Sequence, residues 1–386
     1  MTEKKAAQTP VLRVGTLFSG IGAFEQALKQ MKIPHEIIFA CDNGERYLSQ
    51  THAELKKQTK GMSKEDAEDY VDDLYEMTGK KNNVKESYFA NYEISEDRWH
   101  NDVRFMDGTQ YKGKVDVLVG GSPCQSFSTY GLKKGLEDAR GTLFYEYARM
   151  IQEVQPKVFI FENVRGLTVH DKGRTWEVIQ GVFDSLNYDI AKPEILNAQD
   201  YGLPQMRKRL FVVGVKRSLR KKPFQYPPKV ELTKKASEYL VPSEQVPIEY
   251  YLPKKGYKWT TEINRSKNKA RINREIIGCQ TAVQQFNWSG DFRMEVAKPE
   301  HRATTNNVFV TQYTGPNESL RKQFKGKDVV VRKLMPVECL RLMGFEDFKI
   351  KVEDNVAYRQ AGNSIAVPVL KALIREIMKQ FFNREV

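Results

Sequence analysis

Residues 11–24, VLRVGTLFSGIGAF, join an apolar run to a turn with two glycines, and a helical pattern, EQALKQM (25–31), follows directly. The apolar run has the length and composition of a buried strand. Gly20 and Gly22 allow the backbone to turn tightly and to approach a ligand closely, because no Cβ stands in the way. A strand, a glycine turn and a helix in this order predict one unit of an α/β sheet.

The same alternation continues along the chain and predicts a parallel α/β sheet. Helical segments such as TLFYEYARMIQEV (142–154) lie between the apolar runs. A last helix, within AVPVLKALIREIMKQFFN (366–383), has its apolar side chains on one face, so we expect it to pack back on the first domain. The further predicted strands are EIIFACD (36–42), DVLVGG (116–121), KVFIFENV (157–164) and RLFVVGV (209–215).

Changes in composition divide the chain into predicted domains. Residues 1–225 form the first, and within them 51–100 form a polar, charged insertion that we expect on the rim of the sheet as a pair of surface helices without chemistry. Regular alternation stops at YPPK, so 226–330 predict a separate domain of irregular structure. Core-like patterning returns in 331–386, which we assign to the first domain again.

The charge distribution indicates a polyanionic partner. The net charge is +13 and the isoelectric point is near 9.3. Residues 205–222 carry eight Lys or Arg and no acid, and residues 254–274 carry eight against one Glu, interleaved with Tyr257 and Trp259. Residues 51–100 have the opposite balance, with eight basic and twelve acidic side chains. Ordinary solvated surface charge would be spread evenly, so this clustering favours a nucleic acid as partner.

The composition disfavours several other classes of protein. The four cysteines and five histidines are scattered without CxxC spacing, so we expect neither a disulfide framework nor a metal site. No stretch approaches the roughly 20 apolar residues of a membrane span, and MTEKKAAQTP (1–10) has no hydrophobic signal region. We therefore expect a cytoplasmic protein that binds no membrane.

Acidic residues at strand ends suggest an adenosine-containing cofactor. Asp42 ends the second predicted strand, where a carboxylate commonly holds the hydroxyls of a ribose. Asp102 precedes the next strand and is a candidate acceptor for an adenine amino group. The glycine turn is not the GxGxxG of dinucleotide-binding proteins, since Phe24 and Glu25 stand where the third glycine would lie. No Walker A lysine is present to bind a triphosphate.

A cysteine follows a central predicted strand, in GGSPCQSFS (120–128). Most cytosolic cysteines are buried structural thiols, but the segment after Cys124 is polar and glycine-rich, which favours a nucleophile beside a flexible loop. Glu162 lies within an apolar strand, where a carboxyl group is costly to bury without a task or a partner. Arg207 and Arg209 occupy alternate positions at the start of the fifth strand, so we expect them to face one site.

Several short motifs occur together in a fixed order. They are FSGIGAF (18–24), SPCQ (122–125), ENV (162–164), QxRxR (205–209) and QAGNS (360–364). In this order they resemble the motifs of the DNA cytosine-5 methyltransferase family, as do RGTLFYEYAR (140–149) and RKLMPVECLRLMGF (332–345). The resemblance covers nearly all of the chain except 51–100 and 226–330.

The resemblance implies an α/β, Rossmann-like S-adenosylmethionine-dependent methyltransferase domain with a smaller target-recognition domain. It further implies S-adenosyl-L-methionine as methyl donor and a cytosine that is flipped out of double-stranded DNA. Cys124 would add to C6, Glu162 would bond N3 and the 4-amino group, and Arg209 would hold the O2 carbonyl. Arg207 is the further catalytic residue expected. The cofactor residues expected are Phe18, Ser19, Gly20, Gly22, Asp42, Asp102, Val103, Ser122, Leu143, Asn363 and Ser364. The DNA-binding residues expected are Gln125, Ser126, Lys254, Lys255, Lys258 and Thr304.

Two features depart from the family's usual pattern. Asn43 and Gly44 follow Asp42, whereas the family usually has a hydrophobic residue there that stacks on adenine. The acidic insertion 51–100 is also long for a compact bacterial member.

The resemblance implies a monomeric bacterial or phage modification enzyme paired with a restriction endonuclease. The alternatives are a tRNA cytosine-5 methyltransferase of the same fold, a catalytically silent DNA-binding homologue and a NAD-linked oxidoreductase. The long basic region 226–330 disfavours the first alternative, the intact PCQ, ENV and QxRxR motifs disfavour the second, and the missing third glycine disfavours the last.

Overall fold

A computed structural model of the protein describes residues 10–123, 143–219, 222–262, 270–283, 290–303 and 307–386. The chain forms two compact units. The first unit comprises Met1–Leu196, Lys208–Pro228 and Val369–Val386, and the second comprises Asn197–Arg207 and Lys229–Pro368. The chain therefore leaves the first unit and returns to it twice.

Strands and helices alternate through the first unit, as the sequence predicts. Among the described residues the strands are β1 (Leu12–Leu17), β2 (His35–Cys41), β3 (Trp99–His100), β4 (Val117–Gly120), β5 (Val158–Val164), β6 (Tyr188–Ile190), β7 (Glu194–Asn197), β8 (Lys208–Lys216), β9 (Arg271–Ile272), β10 (Asp291–Val296), β11 (Thr311–Gln312) and β12 (Asp328–Lys333). The α-helices of the same residues are α1 (Ala23–Gln30), α2 (His52–Gln58), α3 (Lys64–Met77), α4 (Asn83–Phe89), α5 (Leu143–Val154), α6 (Arg174–Ser185), α7 (Lys254–Thr261), α8 (Glu318–Gln323), α9 (Pro336–Arg341), α10 (Asp354–Asn363) and α11 (Val367–Phe381).

The first unit is built on one sheet with the order β3-β2-β1-β4-β5-β8-β6, and β7 pairs with β8. The strands from β1 to β5 run parallel to their neighbours. The expectation of a wholly parallel sheet fails at β8, which is antiparallel to β5 and β6. Since the strand order reverses between β1 and β4, the loops after these strands diverge at the carboxyl edge, which is where open α/β sheets bind ligands.

An aromatic core fixes the central strand β5. The Phe183 ring of α6 lies 5.4 Å from the ring of Phe159 and 5.5 Å from that of Phe161. Phe144 of α5 meets Phe161 edge to face at 5.7 Å. All four rings are almost completely buried, and such pairs contribute about 0.5–1.5 kcal/mol each beyond their buried area. Glu162 follows Phe161 directly, so the core sets the position of its backbone.

The last helix packs on the first unit, which confirms the prediction made from its apolar face. The Lys371 ammonium of α11 donates to the Gln30 side chain of α1 at 3.3 Å. Arg384, just after this helix, donates to the carbonyl of Pro10, just before β1. The two ends of the described chain therefore meet beside the first strand.

The insertion between β2 and β3 folds as three helices, α2, α3 and α4, and not as the expected pair. Its small core consists of Leu55, Val71 and Tyr75. Asp72 of α3 is half-buried, and burial raises the pKa of its carboxyl from 3.8 to about 6. Tyr75 of α3 and Tyr88 of α4 are almost completely buried, so the insertion is not confined to the surface, and the expectation that it carries no chemistry stays a prediction.

The second unit contains a smaller sheet with the order β11-β12-β10-β9. β12 is antiparallel to β10 and β11, and Leu252, Tyr257, Phe292 and Val331 form part of its core. Arg332 of β12 is fully buried and forms ion pairs with Glu338 and Glu295. Because β12 completes this sheet, residues 331–368 belong to the second unit by contact. The predicted division into functional domains stays a prediction.

Candidate active site

The loop after β1 forms a glycine cradle at the carboxyl edge of the sheet. Phe18, Gly20 and Gly22 all have positive φ, at 53°, 53° and 74°, a conformation that glycine adopts without strain. The N–H of Gly20 donates to Oδ2 of Asp42 at 2.9 Å. A Cβ added at Gly20 would meet no atom within 4 Å, so the backbone here faces open space.

Asp42 and Ser19 join the ends of β1 and β2. Oδ1 of Asp42 accepts from the Gly44 N–H at 2.8 Å, and burial raises the pKa of the Asp42 carboxyl. The Ser19 hydroxyl accepts from the Cys41 N–H at 3.0 Å. Each carboxylate oxygen has two lone pairs, so Asp42 retains acceptor capacity for hydroxyl groups of a ligand.

Asp102 follows β3, which pairs in parallel with β2, so the two predicted acids end adjacent strands. Arg104 donates to both oxygens of Asp102, through Nε at 2.9 Å to Oδ1 and through Nη2 at 2.5 Å to Oδ2. The Tyr75 hydroxyl of α3 donates to Oδ2 at 2.9 Å. Asp102 is therefore held in one orientation. The carbonyl of Val103 accepts from Arg149 at 2.5 Å.

The loop after β4 is tied to the end of β5. Nδ2 of Asn163 donates to the carbonyl of Ser122 at 2.9 Å, and both residues are buried. The Ser122 hydroxyl is buried without a hydrogen-bond partner within the described ranges. Cys124 lies two residues further along and, with Gln125 and Ser126, falls outside the described residues.

Glu162 and Arg209 form an ion pair beside that loop. Nε of Arg209 lies 3.2 Å from Oε1 of Glu162, and both side chains are largely shielded from solvent. Arg209 is opposite Val164 in the antiparallel β5–β8 ladder, so the pair is a diagonal one on a single face of the sheet. A Cβ at Gly121 would lie 2.8 Å from Oε2 of Glu162. Only a glycine lets this loop approach the carboxyl so closely.

Arg207 precedes β8, so the alternation of side chains between the two faces of a strand, from which we expected it to face the same site as Arg209, does not apply to it. Its guanidinium is buried in the second unit and donates to the carbonyls of Gln280 at 2.8 Å, Gly362 at 2.9 Å and Ser364 at 2.5 Å. These bonds hold the QAGNS turn, in which Asn363 is exposed and Ser364 is buried. They suit a positioning role, and a direct catalytic role for Arg207 stays a prediction.

The other predicted residues lie on separate elements. Leu143 begins α5 and packs, like Phe18, against the core of the first unit. In the second unit, Lys254, Lys255 and Lys258 are exposed on α7, whose opposite face buries Tyr257. Thr304 falls outside the described residues.

Sequence reasoning indicated that the glycine pair 120–121 leaves room for a substrate, but it did not single out Asn163 or Arg104 as contributors to the site. Asn163 belongs to the ENV motif. An amide at the end of an apolar strand is costly to bury without a partner, and this position could have indicated its role in the site. Within the described ranges no group of three His, Cys, Asp or Glu could hold a metal ion. No helix in those ranges is long and apolar enough to cross a membrane.

Comparisons with known proteins identify the family. The model of the C-5 cytosine-specific DNA methylase family matches residues 75–379. The type II methyltransferase M.HpaII of Haemophilus parainfluenzae is 35% identical over 70% of this chain and 74% of its own length. The type II methyltransferase M1.ScrFI of Lactococcus lactis subsp. cremoris is 34% identical over 76% of this chain and 69% of its own. The chain belongs to the C-5 cytosine-specific DNA methylase family.

Solved structures share the fold of this DNA methylase. The S. pombe Dnmt2 methyltransferase matches with a TM-score of 0.64 at 19% identity, over 95% of this chain and 98% of that chain. The methyltransferase EhMeth of Entamoeba histolytica matches with a TM-score of 0.61 at 15% identity, over 96% and 98%. Identities this low establish the fold alone. The predicted Rossmann-like methyltransferase fold is thereby confirmed.

The methylase is an enzyme that acts on cytosine in DNA, as the resemblance implies. The tRNA enzyme, the silent homologue and the oxidoreductase are not favoured. Membership implies a methyl donor, and the residues at the carboxyl edge fit one. The open space over Gly20 and the Ser122 hydroxyl, which has no hydrogen-bond partner among the described residues, are the two observations that indicate room and polar contacts for a ligand.

Proposed function

We propose that the protein transfers a methyl group from S-adenosyl-L-methionine to C5 of a flipped-out cytosine in a specific sequence of duplex DNA. The arrangement at the end of β5 carries the proposal. Glu162 pairs with Arg209 at 3.2 Å, and Asn163 holds Ser122 at 2.9 Å, two residues before Cys124 in the chain. An acid, a cation and a cysteine in this relation suit addition to a polar heterocycle.

The chemistry requires each of these groups. C5 of cytosine is a poor nucleophile, but a Cys124 thiolate that bonds to C6 shifts the ring electrons to C5 and N3. Glu162, in its acid form, supplies the proton at N3 and accepts from the 4-amino group. S-adenosylmethionine, when bound, supplies an electrophilic methyl group on a sulfonium. After C5 is methylated, its proton passes to a solvent water, the C5–C6 double bond re-forms and the Cys124 thiolate departs, and the N3 proton returns to Glu162.

Arg209 holds the O2 carbonyl of the base in this proposal. A guanidinium has five N–H donors, so one side chain can bond Glu162 and a base oxygen together. Charge that develops on the ring during the addition of the thiolate is stabilised by such a fixed cation.

The methyl donor would be held by the loops that follow β1 to β4. The glycine cradle of Gly20 and Gly22, with Phe18 and Ser19, would bind the amino-acid part of the methyl donor. Asp42 would bind its ribose, and Asp102 would bind its adenine amino group. The remaining residues proposed for this site are Val103, Ser122, Leu143, Asn363 and Ser364.

DNA would be held by basic residues of the second unit. Lys254 and Lys255 stand in the first turn of α7, where the positive end of the helix dipole repels cations. A bound phosphate would relieve this repulsion, which supports phosphate contacts for these two residues and for Lys258. We assign base readout to other residues within 226–330, including Thr304, and propose Gln125 and Ser126 as further DNA-binding residues.

We further propose that the enzyme works as a monomer in the cytoplasm and protects DNA against a partner restriction endonuclease. The relatives named type II methyltransferases support this proposal. A relative named orphan methyltransferase, M.SPRI of Bacillus phage SPR, is 27% identical over 97% of this chain and 99% of its own length, so a partner endonuclease needs its own test. Bisulfite sequencing of DNA from expressing cells would identify the methylated sequence, and resistance of that DNA to a matching endonuclease would establish protection.

Transfer of a labelled methyl group to duplex DNA, with tRNA as the comparison substrate, tests the reaction. Cys124→Ala should abolish transfer and leave the fold intact, and Cys124→Ser should be nearly inactive, since a hydroxyl is a far weaker nucleophile than a thiolate at neutral pH. DNA with 5-fluorocytosine should be trapped covalently on the wild type, because the fluorine at C5 cannot leave as a proton does. The mechanism is wrong if ordinary DNA is methylated and no such adduct forms.

A further inference from the structure

Tyr75 of the insertion is buried against the end of β3. Its residue surface is 1% exposed, and its ring packs in the small core with Leu55 and Val71. The hydroxyl is aimed away from that core and donates to Oδ2 of Asp102 at 2.9 Å. A side chain of an added helix thus holds one of the two acids that we assign to the methyl donor.

The face of the Tyr75 ring contacts a residue of the loop that follows β2 and contains Asp42. The Arg46 guanidinium lies 4.8 Å from the centre of the Tyr75 ring, in a cation–π contact. Nε of Arg46 donates to the carbonyl of Asn43 at 3.1 Å, and Nη2 donates to Oδ1 of Asn101 at 2.6 Å. Asn43 follows Asp42 and Asn101 precedes Asp102. Tyr75 therefore contacts both loops: its hydroxyl bonds Asp102 after β3, and the face of its ring contacts Arg46 after β2.

Other polar side chains of the inserted segment contact the remaining parts of the site. Nδ2 of Asn82 donates to the carbonyl of Asp42 at 2.9 Å. The Tyr88 hydroxyl of α4 donates to Oε1 of Glu25 at 2.6 Å, and Glu25 also accepts from the Thr16 hydroxyl at 2.9 Å. Thr16 is the residue of β1 that hydrogen-bonds Ser19 of the glycine cradle. The segment thus reaches all three loops that follow β1, β2 and β3.

Fixing these loops before binding has an energetic consequence. A ligand that meets side chains already in their bound orientation does not lose the free energy of ordering them, about 0.5–1.5 kcal/mol for each mobile side chain. Asp102 is held by Tyr75 on one side and by Arg104 on the other, so removal of the Tyr75 hydroxyl should leave Arg104 to hold the carboxylate alone and widen its range of orientations.

We propose that the insertion is a positioning element for methyl-donor binding, with Tyr75 as the residue that holds Asp102 and, through Arg46, the loop of Asp42. This inference rests on the proposed function, since it assumes that these loops bind S-adenosylmethionine. Tyr75 is a positioning residue and contacts neither the reacting atoms nor DNA.

Tyr75→Phe tests the inference, because it keeps the ring in its core and removes only the hydroxyl. We expect the Kd for S-adenosylmethionine, measured by calorimetry without DNA, to rise about tenfold, the effect of about 1.4 kcal/mol and typical for loss of a hydrogen bond to a charged group. The KM for S-adenosylmethionine should rise in parallel, while kcat at saturation and the Kd for DNA stay at the wild-type values.

Tyr188→Phe is the matched control. Tyr188 of β6 is also buried, and its hydroxyl donates to the carbonyl of Pro156 at 2.7 Å, away from the three loops. Its loss should lower the Tm about as much as Tyr75→Phe does and leave the Kd for S-adenosylmethionine unchanged. If both variants weaken binding equally, the effect is one of general stability and the inference is overturned.

Asp102→Asn separates failure of the inference from failure of the proposed function. Wild-type protein that binds no S-adenosylmethionine overturns both. If Asp102→Asn binds S-adenosylmethionine weakly and Tyr75→Phe binds it as the wild type does, the proposed site is supported and the positioning role of Tyr75 is overturned. Should Tyr75→Phe fail to fold, Arg46→Lys keeps the charge and loses the flat group that covers the ring. It should also raise the Kd for S-adenosylmethionine, and an unchanged Kd overturns the inference.

Discussion

A single methyl group at Gly121 should slow the enzyme while its fold survives. The Cβ of Gly121→Ala would lie 2.8 Å from Oε2 of Glu162 and 2.9 Å from the Glu162 carbonyl oxygen. The carbonyl oxygen cannot retreat without disturbing the β5 ladder, so the loop and the carboxyl must separate by a few tenths of an ångström. Overpacking of this kind costs about 1–3 kcal/mol, and alanine returns about 0.4–1 kcal/mol by restricting the unfolded chain.

The net loss of stability is therefore between about 0 and 2.6 kcal/mol, below the roughly 5–15 kcal/mol that keeps a domain folded, but methyl transfer should also become slower. A displaced carboxyl no longer meets the base correctly, and misplacement by about 1 Å can cost roughly 100-fold in rate. A displacement of a few tenths of an ångström is a fraction of that distance, so we expect kcat on duplex DNA to fall roughly 3- to 10-fold, with little change in the Kd for S-adenosylmethionine. Methyl transfer under saturating donor, calorimetry and thermal unfolding measure the three quantities.

Gly181→Ala is the control for the alanine itself. Gly181 lies in α6, and a Cβ there would meet no atom within 4 Å. The substitution should stabilise the helix by about 0.5–1 kcal/mol and leave kcat unchanged. The reasoning is refuted if Gly121→Ala keeps wild-type kcat, or if its loss of activity is accounted for by weaker binding of the methyl donor.

Three further predictions concern other parts of the molecule. Asp42→Ala should weaken S-adenosylmethionine binding by roughly 1–3 kcal/mol without changing DNA affinity, and calorimetry showing equal cofactor affinity would exclude its assigned role. Neutralising Lys254, Lys255 and Lys258 together should weaken target and random duplex alike and flatten the log–log salt slope, whereas a change in the methylated sequence at constant slope would make α7 a base reader. Burial raises the pKa of Asp72 to about 6, so the folded state binds a proton more tightly than the unfolded one and stability falls as pH rises from about 4 to 6. Asp72→Asn should therefore raise the Tm more at pH 8 than at pH 5, and an equal gain at both values would contradict the assignment.

The sequence predicted the strands that are long and apolar, because burial on both faces of a parallel sheet leaves a continuous signal. β1, β2, β4, β5 and β8 lie where the apolar runs are. β3 has two residues and β6 three, too short for any periodicity. The antiparallel direction of β8 could not be read, since the pattern of a buried strand is the same in both directions.

Some residues of the candidate site could likewise be predicted from the sequence, and others could not. Asp42 could be placed because it follows a predicted strand and the carboxyl ends of parallel strands share one edge. Asp102 could be singled out only as an acid before the next predicted strand, because β3, which it follows, is too short to be recognised. The hydrogen bonds from Arg207 to the carbonyls of residues 280 and 362 could not be predicted, because they join segments more than 70 residues apart. The role of Tyr75 was equally hidden, since a tyrosine in an acidic helix gives no sign of the carboxylate that it meets.

The last helix of the first unit has a consequence for how the protein is made. Residues 369–386 leave the ribosome only after the whole second unit has been synthesised. Until α11 arrives, the contact of Lys371 with Gln30 cannot form, and its buried side chains, such as Leu370 and Leu373, are missing from the first unit. Contacts between residues so distant in sequence form slowly. The first unit of a nascent chain therefore completes its packing only after the part of the chain that we assign to DNA recognition has been synthesised.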